Sequence, residues 1–81
     1  MRLREKEREI EELFRFRDIK GKIEVIADNR GACIEIESPR LSMESLAYLY
    51  IYMSFIGYEI ISIAHSSTSG FSYHIDCEVI S

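Results

Sequence analysis

The chain is short of the residues that do chemistry. It has two histidines, His65 and His74, and two cysteines, Cys33 and Cys77, with no CxxC pair. One disulfide is the most it could form, so it is not a disulfide-stapled scaffold. It has no apolar run near the about 20 residues a spanning helix needs. The longest candidate, Leu46 to Ile56, is bounded by Glu44 and Glu59. A membrane role is therefore not expected. The chain opens Met-Arg-Leu-Arg-Glu-Lys rather than on an apolar leader, so a reducing, cytoplasmic setting with both thiols free is expected. The phosphate-cradling glycine patterns and the GxSxG nucleophile turn are missing, and no nucleophile, base and orienter fall into a known catalytic spacing. The expectation is a protein that is not an enzyme and has no cofactor and no resident metal.

What is present is one small domain spanning residues 1–81. A chain of this size buries a modest fraction of its surface, and small domains often add stability by oligomerising. The net charge of −4 is unevenly placed. Residues 1–22 carry a net +2 and residues 23–81 a net −6. The first segment is thus attracted to the body of its own chain or of a neighbour.

Residues 3–17 read as a helix of charged formers without Gly or Pro. Ile10, Leu13 and Phe14 share one face, while residues 1–9 offer little to bury and are expected to fray or to be covered by a partner. Ile23 to Ala27 and Ala32 to Glu37 read as strands around an Asp28-Asn29-Arg30-Gly31 turn. Ala32, Ile34 and Ile36 alternate with Cys33, Glu35 and Glu37. Pro39 interrupts, Ser42 suits a helix N-cap, and Gly57 suits a helix stop. Tyr58 to His65 and Phe71 to Ile80 complete the chain as strands around a Ser66 to Gly70 loop.

The order α-β-β-α-β-β predicts an α+β two-layer sandwich. A four-stranded antiparallel sheet would carry two helices on one face, with the last strand central. Moving that strand to the front yields β-α-β-β-α-β, so the arrangement resembles a permuted ferredoxin-like fold. The outer sheet face would then show Glu24, Glu35, Glu37, His74, Asp76 and Glu78, with Cys33 among them. His74 and Asp76 share a strand face, as imidazole and carboxylate ligands would. Cys77 points away and His65 lies on another strand, which leaves the ligand set short.

The strongest feature is the second helix, apolar on every side. Leu46, Leu49, Tyr50 and Met53 form one stripe. Tyr48, Ile51, Tyr52 and Phe55 form another. A slight domain has no obvious means of burying both. The expected function is a non-enzymatic interaction or regulatory module that self-associates, a homodimer by preference. Tyr48, Ile51, Tyr52, Phe55 and Phe14 would be its interface anchors, and Arg15 and Arg17 its cross-subunit cations. Two alternatives belong to other classes. One is a small-ligand-sensing domain with its site near Gly57-Tyr58 or the Ser66 to Gly70 loop. The other is a nucleic-acid-binding module, disfavoured because glutamates dilute the basic N-terminal segment.

Overall fold

The computed structural model describes residues 1–16, 19, 21–38, 41–65 and 72–80. The elements follow the expected order: α1 (Arg4–Phe16), β1 (Ile23–Ala27), β2 (Gly31–Ile36), α2 (Met43–Phe55), β3 (Tyr58–His65) and β4 (Tyr73–Val79). The four strands form one sheet in the order β1-β2-β4-β3, and every neighbouring pair is antiparallel. The C-terminal strand is therefore central, between β2 and β3.

Period-two alternation fixes which side of the sheet is covered. Ile23, Val25 and Ala27 of β1 are buried, as are Ala32, Ile34 and Ile36 of β2 and Tyr73, Ile75 and Cys77 of β4. They join Ile10 and Phe14 of α1 and Leu49 and Met53 of α2 in one core. The result is an α+β sandwich of a helical layer on an antiparallel sheet. A bulge in β3 passes from Ile60, opposite Cys77, to Ser62, opposite Asp76, so Ile61 is the extra residue. Beyond it Ile63 packs against the core, and Ser62 stands on the outer face.

Local chemistry explains the joints. Asp28 Oδ1 accepts the N–H groups of Arg30 at 2.7 Å and Gly31 at 3.0 Å, closing the β1–β2 turn. Glycine is required at position 31 by proximity rather than by backbone angle: a Cβ there would lie 2.1 Å from the Cys77 carbonyl oxygen. Ser42 caps α2 by accepting the Ser45 N–H at 3.0 Å. Gly57, at φ +99°, turns the chain from α2 into β3. The Leu41 N–H donates to the buried Tyr73 hydroxyl at 3.0 Å, tying the approach to α2 onto the central strand.

The start of α1, which offers few apolar side chains, is tied to the end of β1 by polar contacts. Leu3 N–H donates to the Ala27 carbonyl at 2.8 Å, and Glu7 is buried. Glu7 accepts the Ala27 N–H at 2.9 Å and two bonds from the Arg2 guanidinium, each 2.9 Å. A polar clamp to the end of β1 holds these turns in place of apolar packing.

Candidate functional site

The helical layer leaves one face of α2 open. Leu49 and Met53 point into the core, with Leu46 and Ile56 beside them. About half a helical turn away, Ile51 is 63% exposed and Phe55 87%, and Tyr52, about a quarter turn from the core side, is 39% exposed. No charged side chain interrupts the helix from Leu46 to Ile56. Tyr48 and Tyr52 stack at 4.1 Å between ring centroids, and Phe16 of α1 stacks on Tyr48 at 6.4 Å. These rings and Leu13, Glu9 and Glu12 line a shallow groove of about 380 Å³ between the helices. Tyr48, Ile51, Tyr52 and Phe55 thus share one surface, as their spacing predicts. Phe16, which the sequence reading left out of the anchor set, is 76% exposed and extends that surface onto α1. Its signal is position: it ends the first helix two residues beyond the core Phe14.

The other named residues lie elsewhere. Phe14 is fully buried in the core and offers nothing to a second copy. Arg15 is exposed but engaged within its own chain: Nη1 donates to the Gly21 carbonyl at 2.9 Å, and Nη2 is 3.8 Å from Glu11. Arg17 lies outside the described residues, as does the Ser66 to Gly70 loop. Beside Gly57 and Tyr58 there is a second groove of about 320 Å³, rimmed by Leu3, Ile56 and Ile80. The nearby Asp28 carboxylate is occupied by turn N–H groups, which hold its pKa below the usual carboxylate value. Tyr73 faces the helices, so it is not a stacking platform on the open sheet.

That open sheet face gathers the polar chemistry. The β2–β4 register sets Cys33 opposite Asp76 and Glu35 opposite His74. His74 Nε2 is 3.2 Å from Asp76 Oδ1 and 3.6 Å from Cys33 Sγ. On the other side of the ring, His74 Nδ1 is 3.4 Å from Glu35 Oε1. Ser62 donates to the second Asp76 oxygen at 3.2 Å. Burial, then the Asp76 and Glu35 carboxylates, push the Cys33 thiol above its ordinary pKa. Cys33, His74 and Asp76 are the described residues that could hold a metal. The sequence places His74 and Asp76 together. It also puts Cys33 on the same face, and the strand register adds that Cys33 stands directly across from Asp76.

Cys77, on the inner face, is buried and its thiol is pushed up to about 12, first by desolvation. No helix among the described residues is long and apolar enough to cross a membrane. Comparisons of the chain with protein-family models, with curated protein sequences and with solved structures give no match.

Proposed function

We propose that the chain is a non-catalytic interaction module that pairs with a second copy of itself through the helical layer, with α2 at the centre. The observation that carries this reading is the uncharged α2 face with Ile51 and Phe55 standing out of the fold. Solvent-facing helix surfaces are normally polar, and contiguous apolar patches mark sites of association. At about 150–250 Å² per aromatic side chain, Phe16, Tyr52 and Phe55 with Ile51 offer about 500 Å² per copy at their observed exposures. Two such faces related by a twofold axis approach the roughly 1,000 Å² of a specific interface. A second copy suits the patch because an apolar face is complementary to itself, and α1 beside it presents both Arg8 and Glu12.

The strand order and directions support the narrower fold reading, a ferredoxin-like sandwich with its first strand moved to the end. Cys33 and Cys77 on opposite faces of the sheet support a reducing, cytoplasmic setting, since neither can bridge to the other there.

Sedimentation velocity across a concentration series tests the assembly. Dimer mass at micromolar chain is expected, with conversion to monomer by Ile51→Glu or Phe55→Glu. A wild-type chain that stays monomeric at high micromolar concentration removes the proposal.

A further inference from the structure

The Cys33–His74–Asp76 cluster lies on the sheet face away from the proposed dimer contact, and neither reading depends on the other. We propose that these three side chains bind a divalent transition metal of the zinc class, with Glu35 as the residue that positions His74. The donor set comes first. Thiolate, imidazole and carboxylate together are the ligands zinc takes, whereas calcium and magnesium favour oxygen alone.

The spacing comes next. Metal–nitrogen and metal–oxygen bonds of about 2.1 Å and a metal–sulfur bond of about 2.3 Å give tetrahedral edges of about 3.4 Å for N–O and about 3.6 Å for N–S. The corresponding separations are 3.2 Å from His74 Nε2 to Asp76 and 3.6 Å from Nε2 to Cys33 Sγ. All three donor atoms lie within 4.8 Å of one another. Nε2 is the ring nitrogen nearer to Cys33, whose Sγ is 3.9 Å from Nδ1, and a small turn of the imidazole would aim Nε2 at an ion shared with both other donors.

The surroundings of the cluster supply the third argument. A histidine ligand usually gives its remaining ring N–H to a carboxylate, which fixes its tautomer and orientation. Glu35 Oε1 stands on that side of the ring, 3.4 Å from His74 Nδ1. Ser62 holds Asp76 Oδ2, which leaves Oδ1 as the oxygen turned toward His74. Both supports come from the strands that flank β4, so the sheet ladder sets the donor positions before any ion arrives. On binding, Cys33 releases its proton to solvent and coordinates as thiolate. The fourth position is left to water or to an incoming ligand, the open arrangement of a three-ligand site.

Cobalt(II) reports this chemistry directly. The full reduced chain, titrated with Co²⁺ at neutral pH, is expected to bind one equivalent. A sulfur-to-cobalt charge-transfer band and the intense visible bands of tetrahedral cobalt should appear, and Zn²⁺ should displace them. Cys33→Ser should abolish the charge-transfer band, while Cys77→Ala should retain it. Glu35→Gln should keep the band and weaken affinity about 10–100-fold, the effect of losing an orienting partner. Absence of a thiolate band in the wild-type chain overturns the proposal, as does a band that survives Cys33→Ser. Equal affinities of wild type and Glu35→Gln would remove the role given to Glu35.

Discussion

A carboxylate decides where this fold begins. Glu7 is buried, and its charge is matched by Arg2 at two oxygens and by the Ala27 N–H. The Arg2 hydrogen bonds, with the Ala27 N–H and nearby cations, hold its pKa below the usual carboxylate range despite burial, which acts the other way. A lowered native pKa means that the unfolded chain takes up this proton first as pH falls. The clamp's contribution is thus complete above the ordinary glutamate value of about 4.3 and is lost as pH descends through the native value. Glu7→Gln should cost about 1–3 kcal/mol at neutral pH, the loss of charge-assisted bonds to a buried group. It should also flatten the acid limb of the stability curve, both readable by urea denaturation at pH 3 to 7. This clamp was not legible in the sequence. Apolar periodicity is blind to a partner such as Ala27 N–H, twenty residues away on another element. For Cys33 the sequence supplied the face but not the neighbour, since its proximity to His74 exists only in the β2–β4 register.

At the scale of elements, local signals were informative wherever one neighbour in sequence sets the geometry. Ser42, Gly57 and the Asp28 turn read correctly because cap and turn chemistry is contained within three or four residues. The inward set Ala32–Ile34–Ile36 read correctly because alternation has one solution on a half-covered sheet. The β3 bulge did not announce itself, since Ile60, Ile61 and Ile63 offer apolar side chains in either register. Gly31 was legible as a turn residue but for a different reason: the limit is the Cys77 carbonyl, a contact across the sheet. Ser42→Ala tests how much the cap contributes. Its hydroxyl satisfies one of the free N–H groups at the start of α2, so the substitution should cost about 1 kcal/mol. In a domain of this size that is a fall in melting temperature of about 4–8 °C, measurable by differential scanning calorimetry under conditions where the chain is monomeric.

Across the whole molecule, the two faces of α2 have separate consequences. Leu49 and Met53 complete the core that folding requires, whereas Phe55 and Ile51 lie outside it. In the isolated chain Phe55 makes little difference to folding, because an 87% exposed ring changes its surroundings little between unfolded and folded states. In the proposed assembly it would become buried area, and association would then add to apparent stability by mass action. The melting temperature of the wild-type chain should therefore rise with protein concentration. Phe55→Ser should remove most of that dependence. At dilutions where both proteins are monomeric it should leave stability within about 0.5 kcal/mol of wild type, as surface substitutions do. A variant that is equally unstable at every concentration would mean that Phe55 serves the core of a single chain, and the exposed face of α2 would lose its meaning as a contact.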